Sequence, residues 1–533
     1  MPTDMPTVMS NLPARSNTKI IGRNFLFMGL EVVIMLAATA LTTVFIARVI
    51  GPVRLGYFNL ILWLGSVTCS IGSLGLPLTT FKYYGQFLGR GQPELARAVF
   101  FYNLRAQTVL SSCLAALGMV AVFTVIDPAY RVCSALLALA IIPNMVTFIP
   151  SQVNTAAEKS VFNARGAFVR AAIYVIAVTL SLLLRWDLVG IAAGTFLSCC
   201  AELVVKIVPV LKSMESVADV PVPEDIRKKM FAFSGRSAGL MLVQIVVWDR
   251  SDVLFLKLLQ SDIRQLAFFS VCFSLIDRLM LPAQAFANSL AATQMAESGR
   301  DKASLFKITS HAFMYLLLGA LPIIVGVACV SGPFIRVVYG SQYLPAIPVF
   351  VVVALLGLPT AVLTPAQTLL YSADDVGFVL KFGSVAAAIN IAADILLIPR
   401  YGAIGAAWAN GIAQTLAATI IWSRVLTRYP VQINGSALLR LLAATLAMAV
   451  AVLAVVNTPL GAFVKLAVAV PTGLVVFLVM GRALKMLEKD DRRRLLTLSA
   501  LVPVPVRIWY ERLVNFLVPD QPLWKFGDGT SDA

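Results

Sequence analysis

A chain of 533 residues that is 59% hydrophobic and only 13% charged is not a soluble domain, in which about a quarter of the residues carry charge. Apolar runs of about 20 residues recur along it, the pattern of an all-α polytopic membrane protein. A net charge of +16 raises nucleic acid as a partner, but the basic residues are spread over short loops, and membrane topology explains them better.

The opening residues 1–23 lack an early apolar core and a cleavage site, and read as a cytoplasmic tail rather than a signal peptide. Fourteen candidate spans follow, at roughly 24–50, 56–79, 103–126, 129–153, 166–185, 188–212, 233–257, 265–296, 308–331, 346–371, 378–398, 402–427, 434–457 and 461–485. Gly51-Pro52, Asp127-Pro128, Gly332-Pro333, Pro399 ahead of Gly402, and Tyr429-Pro430 separate them. With the N-terminus inside, cytoplasmic loops hold Lys82, Arg90 and Arg97, then Lys159 and Arg165, Lys212 with Arg227 to Lys229, Arg300 and Lys302, and Arg424 and Arg428. The opposite loops hold one or two basic residues each, so the charge asymmetry predicts an even number of spans and both termini inside.

An internal duplication organises the chain. Pro150 and Pro365, Gln152 and Gln367, Arg185 and Arg400, and Gly190 and Gly405 are all 215 residues apart, within the same succession of apolar runs and turns. The expected domains are a first lobe (24–212, spans 1–6), a basic linker (213–232), a second lobe (233–428, spans 7–12), two extra helices (429–486) and a cytoplasmic or interfacial tail (487–533). Trp509, Tyr510, Phe516 and Trp524 among arginines make that tail either an interfacial segment or a partly ordered extension.

No nucleophile elbow, phosphate loop, HExxH or paired-carboxylate motif is present, so no enzyme is expected. The seven cysteines lie in or beside apolar runs without a CxxC pair, and the one histidine, His311, opens a helix. Neither a metal site nor a cofactor is expected. The spans do contain charge, which is costly in hydrocarbon and usually faces a bundle interior or a watery cavity. In span 7, Arg236, Gln244 and Asp252 fall eight residues apart on one stripe, with Asp249 close to it and Arg250 following. Span 8 carries Asp277 and Arg278; span 1 carries Glu31 mid-run; span 11 carries Lys381, Asn390 and Asp394. Each has a plainer alternative. Asp249, Arg250, Asp277 and Arg278 can sit at span ends; Asp394 can cap span 11 beside Pro399; Arg236 and Lys381 can be cytoplasmic anchors. Glu202 has no evident partner. Trp63, Trp248, Trp408 and Trp422 suit packing or the interface better than a sugar platform.

The stretch ARVIGPVRLGYFNLILWLGSVTCSIGSLGLPLTTFKYYG (47–85), with AAINIAADILLIPRYGAIGAAWANGIAQ (387–414) and VVYGSQYLPAIPVF (337–350), resembles the polysaccharide transporters, the oligosaccharide flippase branch of the multidrug/oligosaccharidyl-lipid/polysaccharide (MOP) exporter superfamily. The resemblance covers spans 1–12. It implies about fourteen transmembrane helices, two pseudo-symmetric six-helix lobes of the MATE/MOP kind plus two C-terminal helices, and alternating access in a bacterial inner membrane. It further implies a cargo of undecaprenyl-diphosphate-linked oligosaccharide for O-antigen, capsule or exopolysaccharide, with membrane lipids and polymerase or export machinery as candidate partners. Carried onto this chain, Arg236, Arg250, Arg278 and Lys381 become candidate diphosphate contacts. Glu31, Asp249, Asp252, Asp277 and Asp394 become candidate coupling or cavity groups, although family members often have Asn where Asp394 stands. The alternatives are a lipid II flippase, whose arginine-rich first helix is not matched, a cation-coupled multidrug exporter, which would favour acidic cavities, and a scaffold of a synthesis complex, which would not need charge within spans.

Overall fold

A computed structural model describes the backbone of residues 14–487 and 504–518 apart from 158, 249–250, 261, 299–301 and 374, together with 492 and 496; side chains are described from residue 42 onward, leaving out 236, 239–248, 376 and parts of 282–298 and 504–513. The described chain is helical throughout, as hydrocarbon requires of a backbone that must bond to itself. In order the helices are α1 (Ala14–Gly72), α2 (Leu76–Gly89), α3 (Pro93–Val125), α4 (Arg131–Ala156), α5 (Val161–Leu183), α6 (Asp187–Met214), α7 (Glu224–Trp248), α8 (Asp252–Leu259), α9 (Arg264–Ser298), α10 (Lys302–Cys329), α11 (Ser331–Val338), α12 (Ile347–Leu356), α13 (Leu358–Ser372), α14 (Val376–Arg428), α15 (Gly435–Val456), α16 (Ala462–Ala483) and α17 (Val504–Leu517).

Two of these runs are broken by glycines in conformations closed to other residues: Gly51 in α1 (φ 78°, ψ 170°) and Gly402 in α14 (φ 57°, ψ −130°). Each break separates two expected spans. The duplication is visible in the element bounds: α5 begins at Val161 and α14 at Val376, 215 residues later. Asp187 at the head of α6 has φ 53°, and Gly402, again 215 residues on, has φ 57°.

Ten described segments are long and apolar enough to cross a membrane, and they account for eleven of the fourteen expected spans because Gly377–Arg428 contains two. The other three, spans 1, 7 and 8, fall on α1, α7 and α9, whose side chains are described in part. Expected span 7 falls on two elements: α7 ends at Trp248 and α8 starts at Asp252, with Ser251 a turn and 249–250 outside the described residues. Ser251 precedes α8 without a side-chain cap to it.

The chain divides into two compact units, Met1–Ala267 and Phe268–Ala533. A core of the first joins Tyr84, Phe87, Phe100, Ile149, Val210 and Met214. A core of the second joins Leu316, Leu321, Leu441, Met448, Val452 and Phe477. The tail helix α17 docks on α16, where Arg482 Nη1 donates to the Phe516 carbonyl (2.5 Å) and its guanidinium lies 4.7 Å from the Phe516 ring. All seven cysteines are free thiols; Cys69, Cys133, Cys199 and Cys272 are buried and Cys113 is exposed.

Candidate functional site

The strongest concentration of charge in the described spans is in the first unit, on α5 and α6. Glu202 bridges two cations: Arg170 Nη1 lies 2.8 Å from its Oε2, and Lys206 Nζ 2.7 Å from its Oε1. Glu202 and Lys206 are one helical turn apart on α6, so their side chains meet over the same face. Arg170 reaches across from α5 and also donates to Asn144 Oδ1 on α4 (3.3 Å). Asn154 Nδ2 donates to the Lys206 carbonyl and to Asn163 Oδ1, both at 3.2 Å. Asn163 Nδ2 in turn donates to the Ser151 carbonyl (3.0 Å) and to Thr155 Oγ1 (3.1 Å), tying the α4–α5 junction together.

The lysine fits because Gly166 of α5 has no side chain. A Cβ there would stand 2.7 Å from both Cγ and Cε of Lys206. The arrangement holds two cations and one carboxylate, a net charge of +1 among apolar helices. Its members differ in access: the Lys206 and Glu202 side chains are 4% and 7% exposed, whereas Arg170 is 26% exposed. Arg170 is therefore the most exposed of the three, while Lys206 and Glu202 are buried against each other, the lysine neutralising the buried carboxylate.

The residues expected from sequence are dispersed. Asp394 is fully buried on α14, one turn from buried Asn390, whose Nδ2 lies 3.5 Å from Asp394 Oδ2. Asp252 is fully buried in the first turn of α8, where a carboxylate meets the positive end of the helix. Asp277 and Arg278 are half-buried neighbours on α9. Lys381 is exposed at the start of α14, its Nζ 6.0 Å from the Phe382 ring. Asp249 and Arg250, and the side chains of Glu31 and Arg236, lie outside the described residues. Asn390 and Asp394 are the pair brought together within the second unit. Trp422 is a packing residue: its Nε1 donates to the Val362 carbonyl (3.1 Å) and its ring meets Phe313 edge-on. Among the described residues no three His, Cys, Asp or Glu side chains gather as metal ligands.

Sequence reasoning left Glu202 without a partner and passed over Arg170 and Lys206. The available signal was the Glu-x-x-x-Lys spacing inside an apolar run, at the distance of one helical turn. Arg170 gave none, being 32 residues from Glu202 and on another helix.

The sequence matches the family described as "Polysaccharide biosynthesis protein" over residues 45–348. No curated protein sequence matches it. Among solved structures, a lipid II flippase, MurJ, in an inward closed conformation superposes with a TM-score of 0.70 at 15% identity, covering 86% of this chain and 98% of that one. An inward-facing multidrug resistance MATE family transporter of the MOP superfamily gives 0.62 at 13% identity, covering 74% and 97%. A MOP superfamily transporter from Pyrococcus furiosus gives 0.55 at 12% identity, covering 77% and 95%. At these identities the likeness is one of fold.

Proposed function

The chain belongs to the polysaccharide biosynthesis protein family and has a MOP-type membrane fold, and from that premise we propose that it is a flippase for oligosaccharide units carried on undecaprenyl diphosphate. It works in a bacterial inner membrane with both termini in the cytoplasm, and its two lobes, 24–212 and 233–428, alternate access across the bilayer. The observation that carries this reading is the buried net-cationic group of Arg170, Glu202 and Lys206. Charge inside a span is costly and is found where a pathway needs it.

In this mechanism the diphosphate draws the Arg170 guanidinium away from Glu202 and accepts its paired donors. Lys206 holds Glu202 meanwhile, so no carboxylate is left unpaired in hydrocarbon. Arg236, Arg250, Arg278 and Lys381 are further candidate phosphate contacts. Glu31, Asp249, Asp252, Asp277 and Asp394 are candidate coupling or cavity groups. Moving an anion outward across a negative-inside membrane releases about 2.3 kcal/mol per charge per 100 mV, so the field favours export of a diphosphate.

The test is to delete the gene and analyse membrane lipids by mass spectrometry. One complete polyprenyl-diphosphate oligosaccharide should accumulate while surface polymer disappears, and a copy bearing Arg170→Gln should fail to restore it. A second reading, a cation-coupled exporter, draws on the buried Asn390–Asp394 pair. Absence of any lipid-linked glycan, with new sensitivity to cationic compounds, would favour that reading and overturn the flippase.

A further inference from the structure

A cavity of about 1180 Å³ opens in the first unit among α2, α3, α7 and the segment joining α6 to α7. Its walls include Leu76, Phe101, Val109, Val222 and Met230, and its charged lining residues are Arg105, Arg227 and Asp219. The joining segment is tied down: Arg97 Nη1 donates to the Val217 carbonyl and to that of Met214 (3.4 Å). The opposite wall is fixed where Ser234 Oγ of α7 donates to the Leu74 carbonyl (2.6 Å), beside a turn in which Leu74 and Gly75 both have positive φ. A Cβ on Gly75 would stand 2.6 Å from the Ser234 carbonyl oxygen, so α7 approaches this turn at backbone distance.

Two features indicate an occupant that is part hydrocarbon and part anion. Arg105 and Arg227 outnumber Asp219 on a lining that is otherwise mostly apolar, so the site carries a net charge of +1. Asn103, fully buried, also lines the cavity. Its Nδ2 donates to Thr80 Oγ1 (2.9 Å), which ties α3 to α2 at this wall. The cavity lies at the end of the unit bearing Arg90, Arg97, Arg227, Lys228 and Lys229, the end that the loop charges assign to the inner leaflet.

We propose that this cavity is a binding site for one anionic glycerophospholipid of the inner leaflet. Its phosphodiester sits at Arg105 and Arg227, and an acyl chain lies along Phe101, Val109 and Met230. The site does not include Arg170, Glu202 or Lys206, and the lipid is a resident of the protein rather than its cargo.

The test places the full chain in phosphatidylcholine nanodiscs doped with phosphatidylglycerol and identifies retained lipid by native mass spectrometry. Two basic contacts near the headgroup plane should enrich phosphatidylglycerol over phosphatidylcholine roughly 10-fold or more. The double variant Arg105→Gln/Arg227→Gln should abolish that enrichment. Ala106→Trp, which fills the cavity without touching its charge, should do the same while the thermal midpoint in pure phosphatidylcholine stays at the wild-type value. Arg170→Gln should leave phosphatidylglycerol retention intact even as it fails to restore surface polymer, which keeps this site separate from the flippase reading. Equal retention of the two lipids, retention unaffected by all cavity variants, or a polyprenyl diphosphate in the cavity would each overturn the proposal.

Discussion

The two copies of the duplicated unit share their turns but differ in what they bury. Asp187 and Gly402 adopt the same positive φ at equivalent positions, and the helices on either side start in register. Yet where the first copy has Asn144, Asn154, Asn163, Arg170, Glu202 and Lys206, the residues 215 positions later are Pro359, Leu369, Phe378, Val385, Ala417 and Ile421. Ala417 and Ile421 are each 1% exposed. The second copy therefore forms the same helices with apolar residues at every one of these positions. The charged group is confined to the first copy, and it is the group on which the proposed function rests.

The largest effect should come from making the first copy resemble the second. The variant Arg170→Val/Glu202→Ala/Lys206→Ile should lose all ability to restore surface polymer in a deletion strain, while its unfolding free energy stays within about 1–2 kcal/mol of wild type. Retained transport would remove the cluster from the mechanism. Breaking the group instead of replacing it should be far worse for stability: Glu202→Ala alone leaves two uncompensated cations and should cost about 3–5 kcal/mol in denaturation of the purified protein. Next comes Gly166→Ala, whose new methyl must push the Lys206 stem aside, at about 1–3 kcal/mol. The equivalent residue in the second copy is Lys381, which is exposed and faces no such neighbour.

The turns themselves should respond unequally. Gly402→Ala forces a side chain into a region of φ and ψ that only glycine occupies comfortably and should cost about 1–3 kcal/mol. Asp187→Gly relieves positive-φ strain but gives up the surface pair with Arg54 (2.5 Å), two small terms that offset one another. The smallest effect is at an exposed pair outside the spans. A side-chain hydrogen bond from Arg264 holds the Asp262 carboxyl below its ordinary pKa. A carboxyl depressed in the folded state adds stability that is complete above its unfolded pKa, near 4, and is lost as pH falls through the lower folded value. Asp262→Asn should therefore leave the thermal midpoint at neutral pH almost unchanged and flatten its decline in acid.

What the sequence disclosed follows from the range of the interactions involved. The helical membrane fold and the 215-residue duplication are written in apolar runs and in proline and glycine positions, which act locally. The cluster at Glu202 was half legible, through Lys206 one turn away. Its other half depends on how α4, α5 and α6 pack, which sets Arg170 and Asn144 beside a carboxylate distant in the chain.

The free cysteines have a practical consequence. With no disulfide among them, the chain asks nothing of the redox state on either face of the membrane. Cys113 is the one exposed thiol, on a stripe of α3 shared with Val109, Leu117 and Val120, which are all more than half exposed. Cys200 and Cys329 are partly exposed as well, so replacing those two alone should leave Cys113 as the accessible thiol for a maleimide in detergent, a spectroscopic reporter on the first unit.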